Sequence, residues 1–137
     1  MIRYTQIGII FTLESFFMKR KPVLWVGSSK KDLKNFPDDI QDKMGFGLLD
    51  AQEGKKPEHA KPLQGFGGAD VLEIINEDHS GTYRAVYTVR FKEVIFVLHA
   101  FQKKSKQGIK TPIQDIELIK SRLKTAQEFY DQNYKKK

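Results

Sequence analysis

Apolar residues fall into short blocks along this chain, and the spacing inside each block predicts an element. Val23, Leu24, Trp25 and Val26 run apolar and stop at Gly27, the pattern of a buried strand. Ser29 and Asp32 have capping-box spacing ahead of Leu33 and Phe36, and Pro37 then stops a helix of one to two turns. Asp38 and Asp39 open a second helix, where Ile40, Met44, Leu48 and Ala51 recur at helical spacing, with Phe46 beside the stripe, until Gly54. The two helices are expected to form a hairpin. From Lys55 to Asp70, Pro57, Pro62, Gly65, Gly67 and Gly68 predict a surface loop without regular structure. Three strands follow, Val71 to Asn76, Thr82 to Val89 and Val94 to Phe101. The turn Asp78-His79-Ser80-Gly81 and the short link near Phe91-Lys92-Glu93 suit an antiparallel meander. Thr111 as N-cap, Pro112 at the first helical position and Gln114 then start a long helix. Its stripe is Ile113, Ile116, Ile119, Leu123, Ala126 and Tyr130. The expected fold is α+β: a small antiparallel sheet with an N-terminal helical hairpin and a C-terminal helix, the helices covering the sheet's apolar face.

Composition narrows this picture. The chain has 137 residues, one domain's length, and 39% of them are hydrophobic, enough for a core. Lys and Arg number 24 against 17 Asp and Glu, a formal net charge of +7 that favours polyanionic partners. The absence of cysteine excludes disulfides, zinc ribbons and thiol nucleophiles. Residues 1–21 read as an N-terminal extension. Its apolar run from Ile7 to Phe11 is broken by Thr12, Glu14 and Ser15, too soon for a membrane span of about 20 residues. Phe16-Phe17-Met18-Lys19 offers no small-residue cleavage site, so secretion is not expected and Met18 reads as a natural start. Residues 22–134 form the expected domain, and Lys135 to Lys137 a basic tail.

Motifs for nucleotide, flavin, metalloprotease or serine-hydrolase chemistry are absent, which predicts no cofactor. His59, His79 and His99 lie far apart, in a loop, a turn and a strand, which argues against a metal site. Alternation places Tyr83, Ala85, Tyr87 and Val89 on one face and Arg84, Thr88 and Arg90 on the other, expected to be polar, basic and free of helices. His99 and Lys103 share a parity with Val97 and Phe101. From Glu93 to Asp115 no acidic residue intervenes, so Lys103, Lys104, Lys106 and Lys110 lack local compensation and should collect anions. An arginine fork can clamp phosphate oxygens, and lysines stabilise charge that develops when a phosphodiester is attacked. An ordinary solvated edge has the same composition.

Several segments together resemble a family. They are Asp32-Leu33-Lys34-Asn35-Phe36-Pro37, Lys61-Pro62-Leu63, Val71-Leu72-Glu73-Ile74, Tyr83-Arg84-Ala85-Val86-Tyr87 and, above all, Leu98-His99-Ala100-Phe101-Gln102-Lys103-Lys104-Ser105 with Thr111-Pro112. In this order they resemble the RelE and HigB-like toxins, in their phage-derived Gp49-like branch. The resemblance implies a RelE-like fold and the toxin of a type II toxin–antitoxin pair: a cytoplasmic, ribosome-dependent endonuclease of messenger RNA that inhibits translation without a metal. It implies a helix-turn-helix antitoxin as partner, with a toxin–antitoxin heterotetramer among the assemblies it allows, and no membrane. By position, Arg84, Lys103 and His99 take catalytic places. Lys104 and Lys61 take RNA-binding ones, with Lys106 and Arg90 added from the basic surface. Glu73 matches a place that orients Arg84, and His99 is equally compatible with a packed strand position. The same superfamily includes ParE-like toxins that poison gyrase, so a non-nuclease toxin remains open, as does a basic RNA-binding module without cleavage.

Overall fold

The computed structural model describes residues 20–103 and 110–135. The expected extension up to residue 19, and the cations Lys104 and Lys106, lie outside the described residues. The elements are β1 (Val23–Trp25), α1 (Ser29–Leu33), α2 (Asp38–Gln52), β2 (Ala60–Pro62), β3 (Val71–Asp78), β4 (Gly81–Thr88), β5 (Ile95–Lys103) and α3 (Ile113–Asn133). No described helix is long and apolar enough to cross a membrane.

The α+β class and the β3–β4–β5 meander agree with the sequence pattern, and the sheet is larger than expected. Its order is β1-β5-β4-β3-β2. β1 runs parallel to β5, so the sheet is mixed rather than purely antiparallel. The segment expected to be an unstructured loop contributes β2, which pairs antiparallel with β3 through Ala60↔Ile74, Lys61↔Glu73 and Pro62↔Leu72. A proline is tolerated there because β2 is an edge strand. At the end of β1 the chain passes through Gly27 at φ 58, where an added Cβ would lie 2.8 Å from the Arg122 Nε. Only glycine suits both that conformation and that approach.

Two helix starts differ from the expected caps. Ser28, not Ser29, precedes α1, and its hydroxyl donates to Asp32 Oδ2 at 2.7 Å. Ser29 is buried and donates to the Val97 carbonyl at 3.1 Å. Pro112, not Thr111, is the N-cap of α3, which frees the threonine side chain for the sheet.

Both faces of the sheet are covered. On one, Leu33, Phe36, Ile40, Met44 and Leu48 join Ile74, Tyr83, Ala85, Tyr87 and Val97 in a core. On the other, Ile119 and Ala126 of α3, with Leu123 and Tyr130, pack on Val71, Val86, Phe96 and Leu98. The expected helix-free polar face therefore does not exist: Arg84 and Thr88 are buried. Val86 shares their face and gives the α3 stripe its apolar seat.

A bulge decides which β5 residues join that face. Tyr87 pairs with Val97 and Val86 with His99, leaving Leu98 without a partner across the ladder. Its carbonyl accepts from Arg122 Nη1 of α3 at 2.9 Å instead. Beyond the bulge His99, Phe101 and Lys103 share the face of Arg84, whereas Val97, grouped with them by simple parity, packs in the opposite core.

Candidate functional site at the polar end of the α3 face

Charged side chains meet where α3 begins and β5 ends. Ile75 lies opposite Arg84 and Glu73 opposite Val86, so Glu73 and Arg84 share a face as diagonal neighbours. Arg84 Nη1 donates to Glu73 Oε1 at 2.9 Å, with each side chain only 4% exposed. Thr111 closes over the pair: its Oγ1 accepts from Arg84 Nη1 at 3.4 Å and donates to Glu73 Oε1 at 3.5 Å. Arg84 was expected to stand open on a polar surface. The side chain is instead buried because two strands and the start of α3 converge on it.

His99 is held by a second clip from α3. Its Nε2 is 2.7 Å from Asp115 Oδ1, and its ring stacks on Phe101 at 4.6 Å and 18°. His99 Nδ1 is buried and has no hydrogen-bond partner among the described residues.

Lys103 ends β5 on the same face, opposite Thr82, and is buried. Burial pushes its ammonium below the usual lysine pKa, the Arg84 charge and then Lys61 add to the depression, and Glu73 opposes them. Lys61 lies opposite Glu73 on the edge strand and is exposed, the open side of the cluster. The arrangement therefore combines a buried, pre-oriented guanidinium, a buried lysine whose pKa is lowered by desolvation, an oriented imidazole and an exposed cation. Such a set can attract a phosphodiester, transfer a proton and stabilise added negative charge.

The family of phage-derived proteins Gp49-like (DUF891) matches residues 31–124 of this chain. The chain belongs to the Gp49-like family. That span begins in α1, ends within α3 and contains every residue of the cluster. No curated protein matches the Gp49-like chain. Among solved structures, the toxin–antitoxin complex RelBE2 from Mycobacterium tuberculosis is similar at 17% sequence identity and a TM-score of 0.44, covering 63% of this chain and 94% of that one.

Of the residues singled out in the sequence of this Gp49-like protein, Glu73, Arg84, His99, Lys103 and Lys61 lie on one face of the sheet, level with Thr82, Arg84 and Val86 of β4. Arg90 does not join them. It follows the opposite end of β4, with Nε and Nη2 on Asp70 at 3.0 and 3.2 Å. Lys104 and Lys106 lie outside the described residues. The sequence reading missed Asp115 and gave Thr111, quoted with Pro112 in the toxin-like motif, only the part of a helix cap. The available signal was Asp115 itself, the first acid after the long basic stretch that follows Glu93.

Proposed function

We propose that this Gp49-like protein is the toxin of a type II toxin–antitoxin pair and a metal-independent endoribonuclease acting on messenger RNA at the ribosome. The observation that carries this reading is the convergence of Lys61, Arg84 and Lys103 with His99 and Glu73 on one face, from three strands and the β2 edge. In the proposed reaction the RNA 2′-hydroxyl attacks the adjacent phosphorus and loses its proton to a base. The 5′-oxygen leaves and takes up a proton, so the products are a 2′,3′-cyclic phosphate and a 5′-hydroxyl.

Lys61 meets the phosphate first, because it is exposed whereas Lys103, Arg84 and Glu73 are buried. Lys103, with its depressed pKa, is suited to proton transfer and to the charge of the transition state. Arg84 clamps phosphate oxygens once the Glu73 carboxylate gives way, and Glu73 orients the fork until then. His99, fixed by Asp115, is the imidazole candidate for acid–base work. Residues 22–134 are the working toxin domain in this proposal. Lys104 and Lys106 extend its RNA contacts, a helix-turn-helix antitoxin neutralises it, and the cytoplasm is its compartment.

The test is induced expression followed by mapping of RNA 5′ ends. Codon-phased cuts within translated reading frames are expected. Growth arrest without any new 5′ ends, accompanied by inhibition of gyrase, would assign the fold to the non-nuclease class of toxin.

A further inference from the structure

A second basic surface lies away from the polar cluster. Lys120 and Lys124 stand one turn apart on α3, about 6 Å along its axis. They face Arg90 and Phe66 across an open groove of about 450 Å³ that Leu123 and Gln127 also line. No acidic side chain lines it. Asp70 engages Arg90, whereas no described ion pair engages either lysine. Between Glu117 and Glu128 α3 carries Lys120, Arg122 and Lys124 without an acid, and Arg122 is turned aside onto the Leu98 carbonyl and Ser28 Oγ.

Phe66 sits between Gly65 at φ 99 and Gly67 at φ 73, left-handed positions that glycine adopts without strain. The ring is half-buried against the α3-side core and partly open at the groove. Exposed cations tracking a groove with an aromatic face beside them form the arrangement that single-stranded nucleic acid uses, phosphates on the cations and a base on the ring. An acidic peptide would satisfy the lysines and leave the ring without a stacking partner. The stretch from Lys61 to Phe66 connects the polar cluster to this groove, and Arg84 to Thr88, the β4 segment leading toward Arg90, spans about 13 Å at strand rise.

We propose that this groove binds the single-stranded RNA flanking the cleaved nucleotide, with phosphates on Lys120 and Lys124 and a base on Phe66. The proposal rests on the ribonuclease reading above. The experiment measures binding of a fluorescent oligouridylate to the full chain over a range of salt concentrations. It compares the wild type with the Lys120→Gln/Lys124→Gln double variant and with Phe66→Leu, which keeps an apolar side chain in the core. The double variant should lose about 1.4 units of log–log salt slope, at roughly 0.7 for each single-strand phosphate contact. Phe66→Leu should bind about tenfold more weakly with its slope unchanged.

An unchanged slope and affinity in the double variant, while the wild type binds RNA, would overturn the proposal. So would competition by polyglutamate that depends on the lysines and is indifferent to Phe66→Leu, because the groove would then belong to an acidic protein segment. Cleavage of ribosome-bound message by the same proteins separates the two readings. A wild type that cuts RNA without regard to the lysines refutes the groove alone. A wild type that binds through the groove and cuts nothing refutes the nuclease reading and leaves an RNA-binding surface.

Discussion

Helices cover both faces of the sheet, α1 and α2 on one and α3 on the other, and the buried contents differ. On the α1 and α2 face, Leu72, Ile74, Ala85, Tyr87, Val97 and Ala100 are buried against helix side chains. The polar Asn76 is accommodated there with its Nδ2 3.5 Å from the Met44 sulfur. On the α3 face an equally buried surface begins with Val71, Val86 and Phe96, then turns to Glu73, Arg84, His99 and Lys103. Burying ions costs several kcal/mol each in desolvation, and well-packed apolar residues in the same space are often neutral or stabilising by about 1–4 kcal/mol. The first face is built for stability. The polar end of the second is where the fold gives stability up, which marks it as the candidate site.

The sharpest way to break this comparison is to remove one partner on each face. Arg84→Ala should cost about 3–5 kcal/mol because it leaves the Glu73 carboxylate buried without its cation. Ile74→Ala, on the other face, should cost about 2–5 kcal/mol by opening a cavity. Urea denaturation measures both. A loss below about 1 kcal/mol for Arg84→Ala would mean that water reaches the pair. The sequence pattern alone suggests that this substitution leaves the fold intact, and the burial of Arg84 reverses that expectation.

A smaller effect is expected at the second clip. Asp115→Ala should cost roughly 1–3 kcal/mol by leaving the His99 ring nitrogen without its acceptor. It should also change the tautomer ratio of the imidazole, read from its ¹⁵N shifts. An unchanged tautomer ratio would remove Asp115 from its role of orienting His99.

Lys103 should show its cost through pH. Its folded pKa lies below 10.5, so in the window between that value and 10.5 the unfolded chain binds more protons, and stability rises with pH. Lys103→Met should therefore stabilise the protein at neutral pH, with the gain shrinking as pH approaches the unfolded lysine value. A gain that is flat with pH would contradict the assigned desolvation. The smallest effect belongs to the β3–β4 turn, where Ser80 donates from Oγ and N to Asp78 Oδ1 and lowers the carboxyl pKa below 3.8. Asp78→Ala should destabilise slightly above the ordinary carboxylate range, and the difference from the wild type should vanish as pH falls below it. Acid titration of thermal unfolding would show this.

Elements whose pattern is long and periodic were legible in the sequence: the β3–β5 meander, the α2 stripe and the α3 stripe from Ile116 to Tyr130, though Ile113, read as its first member, is exposed. β2 was not, because three residues ending in Pro62 carry neither alternation nor strand propensity. Nor was the second covered face, since Arg84 and Thr88 on either side of Val86 look like an exposed polar edge. Parity failed at Leu98 because a bulge adds a residue that no periodicity announces. Glu73, Arg84, His99, Lys103 and Lys61 could be named from their resemblance to toxin motifs. The burial of Glu73, Arg84, His99 and Lys103, and the contact of His99 with Asp115 across the 103–111 connection, depend on where α3 docks.

The central claim is that the polar end of the α3 face is kept for chemistry at the expense of stability. The most direct measurement replaces the buried pair as a unit, Glu73→Met with Arg84→Met, and records unfolding free energy together with RNA 5′ ends after induction. The account predicts a protein as stable as the wild type or more so, by up to about 4 kcal/mol, that neither cuts RNA nor arrests growth. A double variant that loses stability yet still cuts RNA would contradict it, because the pair would then be a structural element and the site would lie elsewhere.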